Sequence, residues 1–249
     1  REVLSARRMN APPSWSSERY RIDGEVRAPV LGIWFWSGWD EETDQRVMLK
    51  CMRRSETPRE LLECFEEEGR VVANLAHPNG LRLLERLDAG GWHVHVYELE
   101  GAETLDDKLY RGRLTVEQSL PVVQQVVDAL VCLHSRGLAH GYAHPANILV
   151  RPDGHVKVTG FAYGWEQFHT LVRPFSAPEH ALRNERTQRG DVYLIGGLLW
   201  RALVGEPYVT ASTDEQLVEF HKSPPEPDIG ARVAGTPRRL QRLVRRCLS

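Results

Sequence analysis

The first third of the chain alternates apolar and polar side chains at the two-residue period of β-strands. Residues 33–38 and 46–52 show this pattern on either side of a polar turn. Residues 80–87 and 92–98 predict further strands. A small sheet is therefore expected in the first third of the protein.

One helix interrupts this strand-rich region. Thr57 and Glu60 have the spacing of a capping box, and Pro58 stands at the first helical position. Apolar side chains then recur at helical spacing from Leu61 to Leu75. This combination predicts a helix that begins at residues 57–58 and packs one face on the sheet.

Helical patterns dominate the rest of the chain. Thr104 is predicted to cap a short helix, and Thr115 begins a second capping box ahead of a long amphipathic helix. The almost wholly apolar segment 191–204 predicts a buried central helix. Two later helices are predicted at 214–221 and 237–248, the second capped by Thr236.

Composition narrows the function classes. The 249 residues are 41% hydrophobic and carry a formal net charge of −2, which gives no general reason to expect nucleic-acid binding. No apolar run is long enough to cross a bilayer, and four cysteines without C-x-x-C pairing suggest reduced, mostly buried thiols. Residues 1–18 look like a linker or N-terminal arm. We expect a cytoplasmic piece of a longer protein.

Two segments carry a family resemblance. Residues 140–150 read His-Gly-Tyr-Ala-His-Pro-Ala-Asn-Ile-Leu-Val, and residues 156–162 read Val-Lys-Val-Thr-Gly-Phe-Ala. In order and spacing they resemble the catalytic loop and metal-binding segment of protein kinases, H-R-D-x-K-P-x-N and D-F-G. In its short, arginine-rich sequence the chain resembles bacterial Ser/Thr kinase-like domains.

The resemblance implies an α+β, two-lobed protein kinase-like fold over residues 19–249. A small strand-rich N-lobe is expected at about 19–98, a hinge at 99–101, and a larger helical C-lobe at 102–249. The arginine that usually pairs with the glutamate of the A-P-E motif has no counterpart before Ser249. The C-terminal end of the C-lobe is therefore expected to be clipped or to depart from the family.

The catalytic positions depart from the family pattern. Tyr142 stands where the family has its catalytic Asp, His144 where it has Lys, and Gly160 where it has the metal-binding Asp. A tyrosine, with an ordinary pKa of about 10, is not an anionic proton acceptor at neutral pH. Asn147 is retained. In the activation segment Glu166 is the only candidate substitute acid, and the more natural interpretation is that nothing replaces the missing carboxylates.

The residues that bind the nucleotide in protein kinases are also matched only in part. Lys50, in a V-A-I-K-like strand, and Glu68 match the family's lysine–glutamate pair. Met48 stands where a small alanine normally lines the adenine pocket, and Tyr97 stands at the gatekeeper position, so both are expected to fill space. Pro29 interrupts the phosphate-covering loop, because proline lacks an N–H donor.

Other matches are structural. His140, Asp191 and Glu179 match scaffold positions of the family, and Asp191 is expected to cap the backbone of the catalytic loop.

His93 and His95 share a strand face, which suggests a metal site. No third ligand is placed to complete it, so no metal site is expected. Six arginines near the end form either a solvated helix face or a docking patch for an acidic partner: Arg232, Arg238, Arg239, Arg242, Arg245 and Arg246.

The resemblance and its departures together predict a pseudokinase. We expect a catalytically inactive domain that acts as a scaffold or regulatory module by binding another protein, with no cofactor and with weak or absent ATP binding. Nucleic acid and membrane are not expected as partners of this segment. Two alternatives stay open, a weak nucleotide-binding sensor and an atypical active Ser/Thr kinase.

Overall fold

A computed structural model describes residues 19–30, 32–99, 101–161, 173–183 and 185–249. The predicted linker 1–18, residue 100 of the predicted hinge, and Glu166 lie outside the described residues. The chain divides into two compact units. One comprises the chain up to Ala76 together with Leu81–Gly101, and the other comprises His77–Gly80 and Ala102–Ser249. The short segment His77–Gly80 therefore groups with the helical unit rather than with the strand-rich one.

The first unit is an antiparallel five-stranded sheet with one α-helix. The sheet order is β1-β2-β3-β5-β4. A 3-10 turn at Arg54–Glu56 precedes helix α1, Arg59–Ala73. The strands are β1 Tyr20–Val30, β2 Ile33–Asp40, β3 Gln45–Arg53, β4 Leu83–Ala89 and β5 Trp92–Glu98.

Strand alternation divides β3 between two environments. Val47, Leu49 and Cys51 are fully buried in an apolar cluster with tryptophans from β2 and β5. Met48 and Lys50 alternate with them and belong to the opposite face. The apolar cluster therefore fixes the register of β3 and thereby the face on which Lys50 emerges.

Helix α1 starts differently from the prediction. Pro58 is the N-cap residue and no side chain caps the helix, so the predicted Thr57–Glu60 capping box is wrong. The Thr57 hydroxyl instead donates to the Arg53 carbonyl at 2.7 Å. The 3-10 turn before the helix places Thr57 within reach of that carbonyl and gives its hydroxyl a partner outside the helix.

The second unit is mainly helical. A three-stranded sheet is formed by β6 Glu103–Thr104, β7 Ile148–Val150 and β8 Val156–Val158. The helices are α2 Leu105–Tyr110, α3 Val116–His134, α4 Pro178–Arg183, α5 Gln188–Val204, α6 Asp214–Lys222, α7 Ile229–Arg232 and α8 Arg238–Cys247, with 3-10 turns at Pro145–Asn147 and Arg173–Phe175. None of the helices in the described ranges is long and apolar enough to span a membrane.

Helix caps in this unit test the sequence predictions directly. Thr104 accepts from the Asp107 N–H, and Thr115 forms a full capping box with Gln118, as predicted. The Thr236 cap is wrong, because its hydroxyl donates to the Val233 carbonyl and Pro237 is the N-cap of α8. Helix α5 begins at Gln188 rather than residue 191, because Thr187 caps it by accepting from Gly190 N–H.

The four cysteines form no disulfide bonds in the described chain. Cys51 and Cys247 are buried, whereas Cys64 and Cys132 are partly exposed. Burial raises the pKa of the Cys247 thiol, and it raises that of Cys51 more strongly. The two buried thiols are thus packing groups rather than thiolates at neutral pH.

Candidate functional site

Lys50 and Glu68 form a buried ion pair in the first unit. The Lys50 ammonium, on β3, donates to the Glu68 carboxylate, on α1, and the two side chains are only 8% and 3% exposed. The ammonium also lies 6.0 Å from the ring centre of Phe35 and 5.5 Å from that of Phe65, within cation–π distance. The charge is therefore held by a carboxylate and two aromatic faces.

Helix α1 approaches the sheet closely enough to fix this pair. The His95 ring on β5 stacks on Phe65 with centroids 3.8 Å apart. A Cβ at Gly69 would lie 2.6 Å from that imidazole, so only glycine permits the approach. Burial, together with the nearby positive charge of Lys50, lowers the pKa of His95 to about 2. His95 is a neutral packing group here.

Met48 and Tyr97 are neighbours across strands β3 and β5. Tyr97 is 2% exposed, and its hydroxyl has no hydrogen-bond partner within the described ranges. Burial, together with the negative charge of Glu68, raises the pKa of the Tyr97 phenol well above its usual value. Both predicted space-filling residues thus lie beside one another, Met48 partly and Tyr97 wholly buried.

In the second unit Asp191 organises the loop that carries the motif. It is fully buried on α5 and accepts the backbone N–H groups of His140 at 2.8 Å and Gly141 at 2.7 Å. The ring of His134, on α3, lies 2.7 Å from the same carboxylate through Nε2. The predicted cap of the loop is present, and His134 is a further partner of Asp191 that no sequence pattern indicated.

His140 is a structural member of this loop. Its Nδ1 accepts the N–H of Tyr142 at 3.1 Å, and its ring lies 4.6 Å from that of Phe161. Burial lowers the pKa of His140 to about 4, although the Asp191 carboxylate opposes the shift. The imidazole is therefore neutral near pH 7, and it joins the loop to the segment that begins at Gly160.

Tyr142 is enclosed within the second unit. The residue is 3% exposed, and its ring makes an edge contact with His180 at 5.5 Å between centroids. The Arg186 guanidinium lies over the ring at 5.0 Å. The aliphatic part of Arg186 also fills the space beside Gly141, where a Cβ would meet its Cδ at 2.6 Å. Arg186 was missed in the sequence, which contains no signal that brings residue 186 to residue 142.

Asn147 fills the space beside Gly160. Its side-chain N–H donates to the Tyr142 carbonyl at 3.0 Å and lies 3.2 Å from Nε2 of His144. Gly160 has a φ of +75°, and a Cβ there would lie 2.5 Å from Cγ of Asn147. The retained amide and the glycine are therefore one packing unit, and a larger residue at position 160 requires Asn147 to move.

Glu179 links helices α4 and α5. The hydroxyl of Thr187 donates to its carboxylate at 2.6 Å, and the same hydroxyl caps α5 by accepting from Gly190 N–H. In the described chain a threonine at the start of α5 is therefore a partner of the Glu179 carboxylate.

A protein kinase domain model matches residues 36–249 of the chain. The chain belongs to the protein kinase family. This agrees with the α+β fold described above, a strand-rich N-terminal part followed by a helical C-terminal part.

Relatives of the kinase domain include bacterial serine/threonine kinases. The serine/threonine-protein kinase PknA of Mycobacterium tuberculosis is 28% identical over 85% of this chain and 53% of the relative. The probable serine/threonine-protein kinase pknA2 of Bifidobacterium longum is 24% identical over 85% and 30%. The serine/threonine-protein kinase ULK3 of Mus musculus is 25% identical over 86% and 48%. The chain spans about half the length of PknA and ULK3 and less of pknA2.

His93, one of the two histidines on β5 of the kinase domain, lies among charged side chains. Nδ1 of His93 lies 2.7 Å from the Asp88 carboxylate and 3.1 Å from that of Glu66. Its Nε2 accepts from Arg54 at 3.0 Å. Among the described residues, no group of three or more His, Cys, Asp or Glu side chains is placed to hold a metal ion.

Alanine at Gly160 tests the Asn147 contact. Gly154 is a matched control, because its φ is +83° and nothing lies within 4 Å of a Cβ there. We expect Gly154→Ala to cost about 1 kcal/mol of unfolding free energy through backbone strain alone. Gly160→Ala should cost roughly 2–4 kcal/mol, because overpacking adds about 1–3 kcal/mol. Urea unfolding measures both, and the excess at Gly160 should vanish in an Asn147→Ala background. Equal costs at the two glycines would contradict the contact.

Removal of the Asp191 carboxylate tests the loop cap. Asp191→Ala leaves two buried N–H groups without their acceptor, so we expect it to cost on the order of 3 kcal/mol. Asp128→Ala is the control, since Asp128 is exposed on α3 and bonds only the Gln124 side chain at 2.9 Å in the described chain. That change should stay within about 0.5 kcal/mol. Similar melting of Asp191→Ala and wild type would show that the loop has another support.

Proposed function

We propose that this kinase-fold domain does not transfer phosphate and acts as a regulatory or scaffold module that binds another protein. The observation that carries the proposal is the filled space beside Gly160. The family's metal-binding Asp has no counterpart there, and the Asn147 side chain occupies the volume that a Cβ would need. Because neutralisation of charge by the metal is central to phosphoryl transfer, a domain without it lacks the main contribution to catalysis.

The burial of Tyr142 supports the same proposal. A catalytic base must lie within hydrogen-bond reach of the substrate hydroxyl. Tyr142 is 3% exposed and packs against His180 and Arg186. A side chain enclosed in this way has the wrong chemistry and too little exposure for that task.

The residues present do not fit a nucleotide-bound magnesium ion. Magnesium prefers carboxylate and other oxygen ligands in octahedral geometry. Position 160 supplies no side chain, so the oxygen of Asn147, whose Nδ2 donates to the Tyr142 carbonyl, would be the only side-chain ligand left at the family's two metal-binding positions. We therefore propose weak or absent ATP binding and derive no catalytic step through the metal.

The partner and location belong to the proposal as well. A kinase fold without phosphoryl transfer retains its surfaces, and loops and helix faces on a rigid scaffold are suited to recognising another protein. We propose that the partner is another protein and that the domain is located in the cytoplasm.

Phosphotransfer is the decisive measurement. With radiolabelled ATP and magnesium, the chain should show no autophosphorylation and no transfer to generic substrates, with the PknA kinase domain as positive control. The double variant Tyr142→Asp/Gly160→Asp should also stay inactive, since Asn147 blocks position 160 and Met48 crowds the nucleotide side. Activity in the unmodified chain would overturn the proposal. Activity only in the double variant would show that the loss of phosphotransfer activity was caused by those two positions alone.

A second candidate, a nucleotide sensor without catalysis, is favoured by the residues that match the family's nucleotide site. The Lys50–Glu68 pair is intact, and Asn147 is retained. Thermal melting with millimolar ATP separates the candidates. We expect no shift with or without magnesium, each variant being compared with its own nucleotide-free melting temperature. A reproducible upward shift that Lys50→Ala abolishes would replace the scaffold proposal with the sensor.

A further inference from the structure

Helix α8 carries its arginines on one face. Arg238, Arg239, Arg242, Arg245 and Arg246 are all exposed, and we call them the arginine stripe. At 100° per residue they fall within about 120° of the helix circumference, over a length of roughly 12 Å. The opposite side of the helix carries the buried residues Leu240, Val244 and Cys247.

The stripe is poorly neutralised. Helix α8 contains no Asp or Glu. Arg245 pairs with Glu226 at 2.9 Å, whereas Arg238, Arg239, Arg242 and Arg246 form no ion pair with any part of the chain that the structure describes. The nearby Arg232 is already paired with Glu206 at 2.7 Å and does not belong to the stripe.

Part of this arrangement opposes the stability of the helix itself. Arg238 and Arg239 stand in the first turn, where the helix dipole favours acidic side chains. Arg242 is four residues from both Arg238 and Arg246, and like charges at this spacing repel. Arg245 and Arg246 stand in the last turn, where the dipole favours cations, but Arg238, Arg239 and Arg242 have no such support. An anionic partner would offset the repulsion among these side chains.

We propose that the arginine stripe is a docking surface for an acidic segment of a partner protein, rich in Asp and Glu. Every cation of the stripe is arginine, whose planar fork matches carboxylates in bidentate geometry. The inference deepens the binding role proposed above by naming a surface and a class of partner. It rests on that role but not on the state of Gly160 or Tyr142.

Two other anionic partners fit the stripe less well. A membrane-binding helix buries an apolar face in the lipid, but the apolar face of α8 is already covered, with Gly196 of α5 in close approach to Cys247. Nucleic-acid binding relies on many phosphate contacts and a broad positive field. The chain has a net charge of −2, and the stripe is only one short helix face.

Fluorescence anisotropy with a labelled polyglutamate peptide tests the stripe on the whole chain. We expect saturable binding that weakens as salt screens the charges. Arg238→Gln/Arg242→Gln/Arg246→Gln should raise Kd roughly tenfold or more, because three charged contacts are lost. The same three positions changed to Lys should lose less, since charge is kept and only the fork is removed.

A charge-matched control separates the stripe from net charge. Arg21→Gln/Arg59→Gln/Arg70→Gln removes three exposed arginines of the first unit, which are paired with Glu41, Glu63 and Glu67. This control should bind the peptide like wild type. Equal losses in control and stripe variants, unchanged binding in the stripe variant, or no binding by wild type would each overturn the proposal.

Duplex DNA and phosphatidylserine vesicles complete the test. Tighter binding of either than of polyglutamate would overturn the assignment to an acidic protein segment. Circular-dichroism melting of each variant should show a folded domain, and the stripe variant should melt no lower than wild type, since like-charge repulsion is relieved. None of these measurements involves phosphotransfer, so a negative result here leaves the proposal of catalytic inactivity unaffected, and activity in the phosphotransfer assay leaves the stripe intact.

Discussion

The buried carboxylate of Asp191 is the interaction on which the second unit's functional loop depends. A fully buried carboxylate is tolerated only when donors surround it, and here two backbone N–H groups and the His134 ring do so. Those donors come from helix α3 and from the loop at His140, while the acceptor comes from α5. One side chain therefore joins three separate segments of the chain and holds the start of the loop at His140 and Gly141.

The same loop shows how the backbone around position 142 is held without help from the side chain at that position. His140 accepts the Tyr142 N–H, and Asn147 donates to the Tyr142 carbonyl, so the backbone around Tyr142 is fixed from both sides. The side chain at 142 contributes nothing to these bonds. A change of that residue from acid to phenol is compatible with an unaltered backbone, provided that the ring finds a buried environment, which His180 and Arg186 supply.

Sequence patterns predicted the parts of the structure that depend on local chemistry or on motif spacing. The caps at Thr104 and Thr115 follow from neighbouring residues, and the Asp191 contacts follow from the family's motif order. The wrong caps, at Thr57 and Thr236, share one cause. Each hydroxyl had a nearby backbone carbonyl to which it could donate, and sequence spacing does not show which of two local partners a threonine takes.

Contacts between residues far apart in the sequence could not be predicted from sequence patterns. The contact of Arg186 with Tyr142 joins residues from separate loops, and no periodicity links them. Phe35 could have been placed by register, because alternation in β2 and β3 sets it across from Lys50. The contact between Asn147 and Gly160 also needed coordinates, since a sequence shows that a glycine is present but not what fills the space beside it.

Buried partners explain which kinase-like positions still match the family motif. Removal of either Lys50 or Glu68 would leave an uncompensated charge, at a cost of about 3–5 kcal/mol. Loss of Asp191 would strand buried N–H groups in the same way. The matching residues are therefore those required by the fold itself, and retention of Lys50 and Glu68 is weak evidence for use of a nucleotide.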